Sequence, residues 1–170
     1  MSDPVQSAKV TLWLGESLGF WIQTGAFLLS ALAAAFIIYH NGKLSRLRAT
    51  IDLIMHQKSD QELLKCVSEV YRLTDSNQSF SALKAGSEDL KCVLRVLNNH
   101  EFIACGIRSE AFSESVYKQM QCSNLLKVYR SSKPMIDDLR RKHSIPTLFQ
   151  DFEWLAERWK ASPVKKIGKK

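Results

Sequence analysis

Glu101 is the side chain in this 170-residue sequence whose position most invites chemistry. On a helical wheel of about 100° per residue, Leu90, Val93, Leu94, Leu97 and Ala104 form one apolar stripe, and Cys92, Val96, Ile103 and Ile107 form a second beside it. Glu101 falls inside the first stripe, about 40° from Leu97, with Arg108 about 20° from Glu101 on the same wheel. An ionised carboxylate on an apolar face costs on the order of several kcal/mol unless it is paired or opens onto a cleft. Arg108 is two turns away along the helix, so Arg140 or Arg141 on a neighbouring helix is the better partner. A buried ion pair among Glu101, Arg108, Arg140 and Arg141 is therefore the expectation. A functional acid in a cleft is the alternative.

A second candidate is the segment Phe149-Gln-Asp-Phe-Glu-Trp-Leu-Ala-Glu-Arg-Trp159. Phe149, Phe152, Leu155, Ala156 and Trp159 share a face and read as core. Trp154 points about 160° away from Phe152, where it either packs on a second neighbour or anchors a partner. Phe102, among Lys91, Arg95 and Asn98, has the same two uses. No phosphate-cradling, nucleophile-elbow or zinc-hydrolase motif occurs, and the four histidines are scattered. Neither a catalytic set, a metal site nor a cofactor is expected, and the chain is not read as an enzyme.

The elements that must hold these residues begin with a membrane segment. From Ser17 through Gly42 there is no Asp, Glu, Lys or Arg. Residues 18–39, with Trp21 near one end and Tyr39 at the other, span about 33 Å as a helix, enough for a bilayer core of about 30 Å. A cleaved signal peptide fits less well, because the preceding segment lacks a basic region. Lys43, Arg46 and Arg48 crowd the C-terminal flank, which places residues 1–17 outside as a short tail and the rest in the cytoplasm. Cys66, Cys92, Cys105 and Cys122 all follow the span, and reduced, packed thiols are expected there. Gly15-x-x-x-Gly19 and Ala26-x-x-x-Ser30-x-x-x-Ala34 would suit self-association through the span.

The net charge of +7 sits at the ends of the soluble part. Residues 49–157 hold 14 bases and 15 acids. The excess comes from Lys43, Arg46 and Arg48, and from a tail that includes Lys165, Lys166, Lys169 and Lys170. A nucleic-acid binder would spread bases over its folded body, so contact with anionic lipid explains this pattern better.

After the span, helical periodicity dominates. Residues 40–58 read as a basic juxtamembrane helix with Leu44, Leu47, Ile51 and Ile54 in a stripe. Residues 59–160 read as one all-α domain of five to seven helices, followed by the basic tail 161–170. Ser59-Asp-Gln-Glu62 has capping-box spacing, and Ser87 precedes a helix over about 88–107. Separate segments are expected from Ser109 to about Met120, over about 123–131, and from Pro134 to about His143, before a last helix ending near Trp159.

Leu97-Asn-Asn-His-Glu-Phe-Ile-Ala-Cys-Gly-Ile107 together with Phe152-Glu-Trp-Leu-Ala-Glu-Arg-Trp159 resembles a family of bacterial and prophage-encoded proteins that pair an N-terminal membrane anchor with a helical cytoplasmic domain. The resemblance covers about residues 60–160 and brings no catalytic signature. It implies an inner-membrane protein that contacts another membrane or phage protein, as in exclusion of superinfecting phage. The alternatives are a membrane-tethered hydrolase or nucleic-acid-acting domain using Glu101, and an accessory subunit of a membrane complex.

Overall fold

The computed structural model describes residues 12–13, 16–76 and 78–164; Lys165, Lys166, Lys169 and Lys170 lie outside the described residues. Two units divide after Leu44. Among the described residues, two short strands, β1 (Leu12–Trp13) and β2 (Glu16–Ser17), pair antiparallel, and five α-helices follow. These are α1 (Leu18–Ser59), α2 (Gln61–Asp75), α3 (Glu88–Arg108), α4 (Glu114–His143) and α5 (Gln150–Ala161). The fold is all-α, as the periodicity requires.

In the first unit, α1 is long and apolar enough to cross a membrane, and none of its apolar window is buried by the rest of the chain. Phe27, Leu29, Leu32, Phe36 and Ile38 are all more than two-thirds exposed. A row of large apolar side chains with no protein cover is unfavourable in water and favourable in lipid, where a helix also satisfies its own backbone.

The second unit packs α2 on α3, α3 on α5, and α4 on both α5 and α2. Both expected stripes of α3 are realised: Cys92, Val93, Val96, Leu97, Ile103, Ala104 and Ile107 are buried, while Leu90 and Leu94 pack at the margin. α5 closes the core with Phe152, Leu155, Ala156 and Trp159, each fully buried. From the stripe of the juxtamembrane segment, Ile54 enters the core but Ile51 stays exposed. Thr50 is the buried polar contact of that segment. Its Oγ1 donates to the Arg46 carbonyl at 2.7 Å and accepts from the Ser113 N–H at 2.7 Å, which joins the segment to the start of α4.

Three local expectations are corrected. The N-cap of α2 is Asp60, not Ser59: Asp60 Oδ1 accepts from the Leu63 N–H at 2.9 Å, while the Ser59 hydroxyl donates to the His56 carbonyl. A carboxylate outcompetes a hydroxyl at this position because it also meets the positive end of the helix. The segments expected separately within 109–143 are one helix of 30 residues with Pro134 inside it. Pro134 removes the N–H that the Arg130 carbonyl would accept, both residues are exposed, and Tyr129 and Ser132 before the break and Met135 and Ile136 after it are buried in the core. Finally, Cys66 on α2 and Cys92 on α3 are joined as a disulfide, where packed thiols were expected; Cys105 and Cys122 are free.

Candidate functional site

The Glu101 carboxylate is not held by a base. Its Oε2 accepts from the Phe152 N–H at 2.7 Å and its Oε1 from the Asp151 N–H at 3.3 Å. The reason lies in the start of α5. Phe149 occupies its N-cap with left-handed backbone, φ 56°, and has no side-chain acceptor to offer. The first amides of α5 are therefore left to a residue from another helix, and an anion suits the positive helix end. Glu101 is a cap supplied by α3.

The arginines expected around it go elsewhere. Arg108 lies 2.8 Å from Asp151 Oδ1, close enough for an ion pair though without hydrogen-bond alignment. Arg140 donates to Glu153 Oε2 at 2.6 Å and to the Leu148 carbonyl at 2.8 Å, and Arg141 pairs with Asp138 on its own helix. Glu153 is the true ionic centre. Burial alone would raise its pKa, but hydrogen bonds from Lys133, Arg140 and Tyr129 outweigh that and hold it at about 2. The Tyr129 hydroxyl is pushed up by burial and by its 3.0 Å hydrogen bond to Glu153. The expected quartet is thus four separate contacts, one for each of its residues.

Phe102 packs on Phe112, and Phe112 shares a depression with Trp154. Phe102 is 60% exposed and meets Phe112 edge-on at 5.9 Å between centroids. Phe112 also lines an open depression of about 320 Å³ with Trp154, Arg46, Arg108 and Arg158. Trp154 is half-buried, with the Arg158 guanidinium 5.7 Å from its ring centroid. The bases are balanced by Glu110, 2.7 Å from Arg46, and by Glu114, which accepts from Arg158 at 2.9 Å and from the Trp159 indole N–H at 3.0 Å. Gly106 makes this arrangement fit, since a Cβ built there would overlap the Phe112 ring. Arg46 is thereby partly committed to the domain, whereas Lys43 and Arg48 are exposed.

A second concavity is lined by none of the site residues expected from the sequence. A cavity of about 260 Å³ opens between Ile54 and Gln57 of α1, Val67 of α2, Val96, Asn99 and His100 of α3, and Tyr117 of α4. Gln57 Nε2 donates to Asn99 Oδ1 at 3.1 Å, and the Tyr117 hydroxyl donates to Gln57 Oε1 over a long 3.5 Å. Burial pushes the His100 pKa down to about 4 and the Tyr117 pKa up to about 12, so both are neutral at pH 7. His100 stacks on Phe152 at 5.0 Å. It stands four residues after Val96 and three after Leu97, inside the apolar sector, and that placement was the available signal. Among the described residues, no three His, Cys, Asp or Glu side chains gather to hold a metal ion.

Comparison with curated proteins gave no match, and neither did comparison with solved structures. A family model does match, over residues 24–159, and its extent includes most of α1 and all the helices that build the aromatic face and the cavity. The chain belongs to the family described as Domain of unknown function (DUF4760).

Proposed function

We propose that this chain is a single-pass inner-membrane protein, N-terminus outside, whose helical domain acts in the cytoplasm by holding another protein at the membrane. The process we propose is exclusion of superinfecting phage, by obstruction of DNA entry. One observation carries the binding reading: Phe102, mostly exposed, packs edge-on against Phe112, which lines one depression with half-buried Trp154 and three arginines, and aromatics with arginine are the side chains on which protein interfaces most depend. The Glu101 carboxylate is occupied by two backbone amides, which leaves the hydrolase alternative without its acid. Lys43 and Arg48, both exposed, support the cytoplasmic orientation.

The test combines Phe102→Ala and Trp154→Ala in the full chain, at matched abundance and membrane insertion. If the wild-type chain lowers the plating of an incoming phage, the double variant should restore plating at least tenfold, and a photocrosslinker at position 102 should trap a discrete partner. Exclusion untouched by the double variant would reject this face as the contact.

The Cys66–Cys92 disulfide favours a second reading, with the domain on the oxidising side of the membrane, because disulfides are rare in the bacterial cytoplasm. Alkylation of whole cells after acid quenching separates the two. Cys66 and Cys92 blocked until a reductant is added indicates the oxidising side, and immediate labelling on denaturation the cytoplasm.

A further inference from the structure

We infer that the cavity between α1, α2, α3 and α4 is a binding site for a small neutral molecule with an apolar body and a carbonyl-type acceptor, which takes a hydrogen bond from His100. The walls set the first half of that description. Ile54, Leu63, Val67, Val70, Val96 and Val128 supply apolar surface, and the remaining polar lining is mostly amide and phenol. The one formally charged side chain on the lining is Lys58, which is exposed. A charged ligand would lose its hydration with no buried counter-charge to replace it, so the occupant is neutral. A pocket between helices, mostly apolar with a few convergent polar groups, is the usual form of a small-molecule site.

His100 sets the second half. The residue is 8% exposed, its Nδ1 is fully enclosed, and the ring has no hydrogen-bond partner among the described residues. The opposite nitrogen, Nε2, is not among the enclosed unpartnered atoms, and His100 lines the cavity. A neutral imidazole carries one N–H. A proton on Nδ1 would be an orphaned buried donor, which proteins avoid more strictly than an under-used acceptor. The proton is therefore assigned to Nε2, which has no protein acceptor among the described residues. Gln57 and Asn99, already bonded to each other, keep further amide groups at the same opening for the rest of the polar end. Stacking on Phe152 fixes the ring plane, so the donor is preorganised.

The test uses the full chain in nanodiscs, with three matched probes: benzamide, neutral with a carbonyl acceptor; benzoate, the same shape with a charge; and ethylbenzene, with no acceptor. Benzamide should give saturable shifts of the Ile54, Val67 and Val96 methyl resonances. Benzoate and ethylbenzene should each bind at least tenfold more weakly. His100→Phe should weaken benzamide at least tenfold while leaving ethylbenzene within about threefold. Because a change at His100 can disturb folding, Val67→Phe provides the second variant: it fills the cavity from its margin and should abolish the benzamide shifts at unchanged helicity. Absence of saturable binding, equal binding of benzamide and benzoate, or benzamide shifts that survive Val67→Phe would each overturn the inference.

Discussion

The two sides of α3 treat adjacent residues in opposite ways. Toward α5, Glu101 has each carboxylate oxygen on a backbone amide and closes a helix end. Toward α1, α2 and α4, His100 has no hydrogen-bond partner among the described residues and lines an opening. The side chain that looked reactive in the sequence caps a helix, and its neighbour is the one left without a hydrogen-bond partner among the described residues. Local polarity marks both residues, and only the three-dimensional count of donors and acceptors tells them apart.

Phe152 belongs to both sides, since its N–H binds Glu101 while its ring stacks on His100. Phe152→Ala should therefore break the contrast outright, with a loss of about 3–5 kcal/mol in denaturant unfolding. The pH dependence comes next. Folding lowers the His100 pKa from 6.5 to about 4, so between those values the unfolded chain binds the extra proton. Stability contributed by neutral His100 is complete above about pH 6.5 and falls as pH drops toward 4, by about 3 kcal/mol over the window. His100→Gln should remove that slope, and an unchanged slope would reject the assignment.

Glu101→Ala strands the Asp151 and Phe152 amides and should cost about 1–3 kcal/mol. Glu101→Gln keeps one acceptor and should cost roughly half as much. If Glu101 were instead a reacting group, Gln would leave stability intact and abolish function. Smallest of all, Phe102→Ala removes a mostly exposed ring and should alter unfolding by less than about 0.5 kcal/mol, with its effect confined to partner contact.

Much of the architecture was legible because burial imposes a period. The two stripes of α3, the core face of α5 and the Ser87 cap, which accepts from the Leu90 N–H at 3.2 Å, all appear where local spacing puts them. What was not legible depends on competition between distant groups. Ser59 and Asp60 are both acceptable caps, and the position goes to Asp60, whose carboxylate also meets the positive end of α2. Pro134 reads as a helix start, but packing on both of its sides carries α4 through it. Arg140 was a reasonable partner for Glu101 until Glu153 proved nearer, and nothing in the spacing of Cys66 and Cys92 marks them as a pair.

The link into α5 has a consequence for the order of assembly. Ser144 and Phe149 both hold left-handed backbone without being glycine, a conformation disfavoured by about 1–2 kcal/mol per residue. A 12-residue helix with no cap of its own does not persist in isolation. α5 therefore forms on a surface that is already built: α3 must be in place to offer Glu101, and α4 to offer Glu114 to Trp159. The α5 amides should exchange with solvent sooner than those at the centre of α3, as expected of a helix whose first amides depend on a carboxylate from another element.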